Sequence, residues 1–413
     1  MRQLTPVHAA GRVHVGGRLA SPVTTSHNLN HTRICIARGG RIHRRGIVGW
    51  DTLIRSELDG MVPYAPGLNP DEVRERSGRD RVLKLSSNEY PCGPVPAAVE
   101  AMTQCLAHLH RYPDGGSKAL TARLARHWGV DERFIAVTSG ANELLRLIAQ
   151  VVLRPGDEVV FAWPSFIVYP MVAQMFGATA VRVPLTSDLR HDLRAMLAAV
   201  TDRTRLLFLC NPNNPTGTIY THAEFEAFLA KLPEHVLVVV DEAYFEFVAD
   251  DTYPDGLAYF DGERPIAVCR TFSKIYSLAG ARVGYGFLPP ALKHAVDCVR
   301  EPFNVNTVAQ VGAFYSLDDW PEVARRKHEN REQKTYLYSC FDRLGIEYAP
   351  SHTNFVYFKT ERPAEVFEEL LREGVIARDF GAAPALRLGV GTPKDTEATI
   401  AAFEAIVGRL GSI

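Results

Sequence analysis

The sequence has no long apolar run and no excess of charge of either sign. Its 413 residues are 46% hydrophobic and 23% charged, with a formal net charge of −1, which is ordinary for a soluble globular protein. Apolar runs such as 236–240 have strand length, far below the ~20 residues that span a bilayer. We therefore expect no membrane partner, and the balanced charge gives no reason to expect nucleic acid.

The sequence also lacks paired cysteines. Its cysteines are odd in number, scattered and never spaced C-x-x-C, which argues against a disulfide framework and against a zinc site. They are Cys35, Cys92, Cys105, Cys210, Cys269, Cys298 and Cys340. This pattern predicts a reducing, cytoplasmic location and no metal site.

Acidic residues are missing from the first fifty positions, which contain eight arginines and no regular apolar period. We predict a basic N-terminal tail over residues 1–50 that is disordered, because such a segment cannot offset the entropy of ordering. The same composition is compatible with an arm for nucleic acid, with an organellar transit peptide, or with a start placed too far upstream.

From residue 51 onward, strand-like runs alternate with amphipathic helical stretches, which predicts a mainly parallel sheet with helices on both faces. Residues 51–95 are expected to form an N-terminal arm and part of a small domain, and residues 96–298 a large domain. The predicted strands of a seven-stranded sheet are 134–138, 158–162, 180–184, 205–210, 235–240, 266–270 and 283–287.

The pattern changes after residue 298, where a long charged helix over 321–344 precedes shorter strands and helices. We predict a smaller α+β domain over residues 299–413, so the fold class is α/β with two unequal domains. The charges of the long helix are most simply a face exposed to solvent. They include Arg325, Arg326, Lys327, Glu329 and Arg331.

Four polar segments follow predicted strands. Ser139–Glu143 opens a helix with small residues, which suits a phosphate or simply a turn. Asn211–Gly217 offers Asn214 to a ligand or forms an Asn/Pro turn. Asp241 ends a buried strand, and its carboxylate needs a cationic partner there unless it caps a helix.

The fourth segment is Arg270–Lys274, followed by Arg282. Lys274 comes after an apolar strand, where a partly desolvated amine has a lowered pKa and becomes a Schiff-base nucleophile, or else forms a salt bridge. A phosphate cradle, an asparagine, an aspartate and a lysine at successive strand ends together meet the needs of pyridoxal 5′-phosphate. We therefore predict this cofactor.

At these residues the sequence resembles the fold-type I, class II aminotransferases and, among them, the histidinol-phosphate aminotransferase family, over residues 53–410. The resemblance rests on Ser87–Pro91, His110–Pro113, Asn211–Gly217, Asp241–Tyr244, Thr271–Lys274, Glu301–Asn306, Thr353–Phe355 and Leu386–Thr392. It implies a fold-type I transferase that acts as a homodimer with shared active sites.

The resemblance also implies a role for individual residues. Catalytic roles fall to Lys274, Asp241 and Tyr244. Cofactor-binding positions are Gly140, Ala141, Asn142, Phe166, Asn214, Asp241, Tyr244, Ser273, Lys274 and Arg282, together with Tyr112, which reaches the cofactor phosphate of the neighbouring subunit. Substrate-binding positions are Tyr64, Asn88, Arg378 and Arg387. The stretch from Arg378 to Arg387 is shorter than in many relatives, so Arg378 could instead join a surface ion pair.

The resemblance implies transamination between histidinol phosphate and 2-oxoglutarate, with glutamate as the amine donor, in histidine biosynthesis. Segments 159–166 and 201–205 also resemble aromatic-amino-acid aminotransferases, so phenylalanine or tyrosine is an alternative substrate. A decarboxylase or another lyase acting on a phosphoamino acid would use the same cofactor-binding set. A non-catalytic binding protein is a weaker alternative, because Lys274 and Asp241 are both present.

Overall fold

The computed structural model describes residues 53–381 and 383–413. The predicted basic tail over residues 1–50 lies outside this range. The strands described are β1 (Leu83–Lys84), β2 (Ile135–Thr138), β3 (Glu158–Trp163), β4 (Thr179–Pro184), β5 (Thr204–Cys210), β6 (Leu237–Asp241), β7 (Ile266–Thr271), β8 (Gly284–Phe287), β9 (Tyr348–Ala349), β10 (Phe355–Lys359), β11 (Val375–Ile376), β12 (Arg378–Asp379) and β13 (Ala385–Gly389).

Helices separate most of these strands. They are α1 (Pro70–Ser77), α2 (Pro96–Cys105), α3 (Lys118–Trp128), α4 (Ala141–Val152), α5 (Val168–Met175), α6 (Leu193–Ala198), α7 (His222–Leu229), α8 (Pro290–Val299), α9 (Thr307–Ser316), α10 (Trp320–Leu344), α11 (Pro363–Arg372) and α12 (Pro393–Leu410). Within the described ranges, no helix is both long enough and apolar enough to cross a membrane.

The central sheet has seven strands in the order β2-β8-β7-β6-β5-β3-β4. All of its neighbouring pairs are parallel except those of β8, which runs antiparallel to both β2 and β7. Every residue of β6 and β7 is buried, as expected for strands covered on both faces. The predicted seven-stranded, mainly parallel sheet is confirmed, with strand ends displaced by one or two residues.

A smaller four-stranded antiparallel sheet, in the order β12-β13-β10-β9, follows the large one along the chain. It packs with α10, α11 and α12 around a separate apolar core that includes Phe341, Phe358 and Phe403. This is the predicted smaller α+β part. Residues 54–413 form one compact unit, so the domain limits at residues 95/96 and 298/299 stay predictions.

The prediction that the charges of the long helix face solvent is wrong for Arg326, which is only 3% exposed. Its guanidinium donates hydrogen bonds to the Ile275 carbonyl (2.8 Å) and the Ser277 hydroxyl (2.7 Å), and it pairs with Glu322. One carbonyl and one hydroxyl of the segment after Lys274 provide these acceptors. Since they come from distant parts of the chain, helical periodicity alone does not identify them.

Candidate active site

The polar segments predicted from the sequence meet at one edge of the central sheet. Strands β5, β6 and β7 are neighbours and parallel, so their carboxyl ends lie side by side. These ends lead into the 211–217 turn, Asp241–Tyr244 and Phe272–Lys274. Strand β2 points the same way, because β8 is antiparallel to both of its neighbours. Ligands of open parallel sheets bind at this edge.

Lys274 extends its amine toward the interior of this cluster. The Nζ atom lies 3.5 Å from the Ser87 carbonyl oxygen and 5.5 Å from the centre of the Tyr244 ring. Among the described residues, no carboxylate forms an ion pair with it. Desolvation and the nearby Arg387 charge lower the pKa of Lys274 from 10.5 to about 8. The amine is therefore readily deprotonated, as a nucleophile or a general base requires.

Asp241 is a buried carboxylate, 2% exposed. One oxygen accepts a hydrogen bond from the Tyr169 hydroxyl (2.8 Å), and the other accepts from the Ala243 amide (3.2 Å). No cation pairs with it within residues 53–381 and 383–413. Burial raises the pKa of Asp241. A cationic ligand group would compensate this desolvated charge.

The start of α4 offers free backbone amides near a guanidinium. Gly140 precedes the helix with φ +80°, and no side chain caps the first turn. A side chain at Gly140 would overlap the Arg282 guanidinium, which donates to the Ala279 carbonyl (3.0 Å). Ala141 and Asn142 form the first turn, and these features together suit a phosphate group.

Ser273 contributes a hydroxyl on the neighbouring strand end. It is buried, and its Oγ accepts a hydrogen bond from the Thr271 hydroxyl at 3.0 Å. Its amide is also bound, since it donates to the same Thr271 oxygen at 3.1 Å. The Ser273 hydroxyl proton is therefore available to a ligand.

Two further hydrogen bonds join predicted ligand residues to each other. The Asn88 side-chain amide donates to the Tyr244 hydroxyl at 2.8 Å, and Arg387 donates to the Asn214 side-chain oxygen. Arg387 also donates to the Ser86 carbonyl at 2.7 Å, yet its Nε has no partner. Burial lowers the pKa of Arg387 to about 10 and raises that of Tyr244.

Arg378 stands beside Arg387 because the two residues are paired in register across β12 and β13. Its guanidinium lies over the Tyr64 ring, 5.6 Å from the centre, and donates to the Ala65 carbonyl. Arg378 has no carboxylate partner in the described part of the chain, so the alternative of a surface ion pair is not observed. The Phe380 ring lies 5.7 Å from the Arg387 guanidinium.

Two predicted residues stand less directly in the cluster. Phe166 is half-buried and packs edge-on against Tyr169 at 5.8 Å, next to the partner of Asp241. Tyr112 is 82% exposed and stacks on Phe303 at 4.6 Å. Within this single chain, Tyr112 makes no described hydrogen bond to the cluster.

The sequence analysis missed Tyr169 and the buried ion pair behind Asp241. Glu242 and Arg270 are both fully buried, and their side chains lie 2.8 Å apart. The Arg270 guanidinium is sandwiched between Trp128 and Phe245, with 4.3 and 3.6 Å to the ring centres. The sequence signals for this pair were the acidic Glu242 directly after Asp241 and the basic Arg270 within the apolar strand β7.

These residues fit pyridoxal phosphate. The carboxylate of Asp241, which has no cationic partner among the described residues, matches a protonated ring nitrogen. The Lys274 amine matches the cofactor aldehyde, and the amides of Ala141 and Asn142, together with Arg282, match its phosphate. Among the described residues, no cluster of three or more His, Cys, Asp or Glu side chains is arranged to hold a metal ion.

Comparison with known proteins agrees with this chemistry. A family model for class I and II aminotransferases matches residues 80–403. The histidinol-phosphate aminotransferase of Moorella thermoacetica is 44% identical over 358 residues, which are 86% of this chain and 92% of that protein. That of Symbiobacterium thermophilum is 43% identical over 360 residues, 86% of this chain and 99% of that protein.

A solved structure supports the same assignment. The histidinol-phosphate aminotransferase of Sinorhizobium meliloti, in complex with pyridoxal 5′-phosphate, superimposes with a TM-score of 0.79 at 27% identity. The match covers 86% of this chain and 98% of that one. The chain therefore belongs to the histidinol-phosphate aminotransferase family, within the pyridoxal-phosphate-dependent class I and II aminotransferases.

Proposed function

We propose that this aminotransferase transfers the amino group of glutamate to the keto precursor of histidinol phosphate, releasing 2-oxoglutarate, as part of histidine biosynthesis. The observation that carries the substrate assignment is the pairing of Arg378 with Arg387 at the mouth of the site. Burial lowers the pKa of Arg387, and the neighbouring Arg378 charge lowers it further. A phosphate monoester carries close to two negative charges at neutral pH and matches two such cations better than one carboxylate does.

Lys274 is proposed to move the proton. Bound at this edge, pyridoxal phosphate supplies an aldehyde that takes up amines and a ring that withdraws electrons from the adjacent carbon. The Lys274 amine, with its pKa of about 8, would take the proton from the amine-bearing carbon of the substrate and later give it back. The Nζ atom lies between the Ser87 carbonyl and the Tyr244 ring, among the side chains that would hold the cofactor.

Asp241 is proposed to hold a proton on the ring nitrogen. The hydrogen bond from Tyr169 fixes the orientation of the carboxylate, and the low polarity of its surroundings strengthens an ion pair formed there. Tyr244, held by Asn88, and Asn214, held by Arg387, would present polar atoms to the ring oxygen.

We also propose a homodimer, in which Tyr112 completes the partner's phosphate site. Tyr112 stacks on Phe303 and is one of several exposed apolar side chains, a feature that marks contact surfaces. These side chains are Leu106, Leu109, Tyr112, Phe303 and Tyr315, which are 41–82% exposed. A sedimentation experiment should find two chains per particle, and a monomer that is active would contradict the proposal.

A cytoplasmic location is proposed from the cysteines. All six cysteines in the described ranges are free thiols, which is usual in a reducing compartment.

A substrate screen tests the proposed reaction. The holoenzyme is mixed separately with histidinol phosphate, glutamate, phenylalanine and tyrosine, and the cofactor absorbance is followed. We expect rapid bleaching with the first two amines and none in Lys274→Ala. Rapid bleaching by phenylalanine but not by histidinol phosphate would favour the aromatic substrate. Release of CO2 without a keto acid, from a phosphoamino acid, would instead indicate a decarboxylase.

A further inference from the structure

A second cavity, of about 380 Å³, opens between α10, the segment after β6 and the turn before β10. This volume lies within the roughly 300–1,000 Å³ of small-molecule sites. None of the active-site residues described above lines it. The Phe247 and Tyr338 side chains form part of its wall, so it can accept the carbon skeleton of an organic ligand.

Positive charge dominates the cavity. Its titratable lining residues are Lys327, His328, Arg331, Lys334, His352 and a single acid, Asp250. Within the described chain, neither Lys327 nor Arg331 forms an ion pair with a carboxylate. Arg331 contacts only His328, at 3.2 Å, and His328 is itself paired with Glu332.

Lys334 is the buried member of this group, 6% exposed. Its Nζ donates to the Ser351 carbonyl at 2.6 Å and the Thr353 carbonyl at 2.8 Å. An ammonium group has three protons, so one remains for a ligand. The carboxyl of Glu246 interacts with Lys327 rather than with Lys334, and burial raises the Glu246 pKa to about 7.

We propose that this cavity binds a small organic dianion and that its occupancy is coupled to the active site. The side chains of Lys327, Arg331 and Lys334 share the cavity with a single carboxylate, that of Asp250. Burial lowers the pKa of Lys334 to about 7, so a bound dianion neutralises the excess positive charge and also holds the Lys334 amine protonated. A phosphate monoester and a dicarboxylate are both such dianions. A neutral or singly charged molecule would leave a desolvated cation uncompensated.

The coupling path is the segment from Ser351 to Asn354. Lys334 binds two of its carbonyls, and the His352 amide donates to Gly217 at 2.8 Å, at the end of the turn that carries Asn214. The Asn354 side chain donates to the Asn88 carbonyl at 3.1 Å. A dianion that binds the Lys334 amine therefore changes the hydrogen bonds of the segment that contacts Asn88 and the turn carrying Asn214.

Calorimetry on the holoenzyme tests the binding. Succinate and glycerol 1-phosphate are titrated separately into the wild type, Lys327→Ala, Arg331→Ala and Arg343→Ala. Arg343 lies on the same helix, pairs with Glu404 and does not line the cavity. Lys327→Ala and Arg331→Ala each lose one charge-assisted contact, so the anion should bind to the cavity about tenfold more weakly in these two variants. Its affinity for the cavity should be unchanged in Arg343→Ala.

Anions can also bind at Arg387, so an Arg387→Met holoenzyme is titrated in parallel. Binding to the cavity should persist in Arg387→Met. Loss of this binding in Arg387→Met, or equal affinities in all the variants, would overturn the proposed site. Tighter binding of glycerol 1-phosphate would indicate that the natural ligand is a phosphate monoester, and tighter binding of succinate would indicate a dicarboxylate.

The coupling has its own readout. The dianion should change KM or kcat of the wild type. The part of this change that comes from the cavity should disappear in Lys327→Ala and Arg331→Ala. An identical kinetic response in all three proteins would refute the coupling. These outcomes do not depend on which amine is the substrate.

Discussion

Replacing Lys274 by methionine should stabilise the cofactor-free protein while abolishing amino transfer. Burial and the Arg387 charge lower the Lys274 pKa from 10.5 to about 8, which corresponds to about 3 kcal/mol. Because the side chain is partly exposed, we expect a gain of about 2 kcal/mol at pH 7. A functional amine thus reduces stability, as strained functional sites commonly do.

The sign of the pH dependence makes this test specific. Below pH 8 Lys274 is charged in both states, and the full penalty applies. Between pH 8 and about 10.5 the unfolded chain binds the extra proton, so the wild type gains stability with rising pH relative to Lys274→Met. Urea unfolding of both proteins at pH 7 to 10 measures this difference, with the exposed Lys118→Met as the control. A variant that is less stable at pH 7, or a difference independent of pH, would refute the reasoning.

Three other substitutions test the remaining parts of the site. Asp241→Asn should lower kcat by about 10²–10³-fold, since a preorganised charge is lost, measured by steady-state kinetics of the loaded enzyme; full activity would contradict its role. Arg387→Lys loses the bidentate fork and should raise KM for the phosphorylated substrate by about tenfold or more, with a kcat effect alone arguing against substrate binding. Glu242→Gln leaves the buried Arg270 with a single carboxylate, that of the partly exposed Asp255 at 2.5 Å, and should cost about 3 kcal/mol in urea unfolding, whereas an unchanged midpoint would show that Asp255 alone compensates the Arg270 charge.

Sequence reasoning predicted the strands of the large sheet because their side-chain pattern is local. The run 236–240 is apolar throughout, and the structure buries every residue of β6. Local signals also mark helix starts in the structure, since Thr221 and Glu224 form a reciprocal capping box at the start of α7. Boundaries shifted because hydrogen bonding to neighbouring strands decides where a strand ends, as when Asp241 pairs with Cys210 and Cys269.

Long-range contacts were beyond such reasoning. Arg326 was expected in solvent with the other charges of its helix, yet the Ile275 carbonyl and the Ser277 hydroxyl bind it in the interior. Tyr169 was not singled out at all, although its hydroxyl holds Asp241. Neither contact leaves a trace in local periodicity, because its two partners are separated by 51 and 72 residues.

The sequence by itself determined which chemical groups this protein places near the ends of its strands: an amine, an acid, an amide and a glycine turn. Their order along the chain follows from local patterns that hydrophobic burial enforces. Only the tertiary structure decided that the amine loses much of its affinity for protons, that Arg378 stands beside Arg387, and that α10 lines a second basic cavity. Desolvation and electrostatic interaction depend on distance in space, and distance in space is set by the packing of the whole chain.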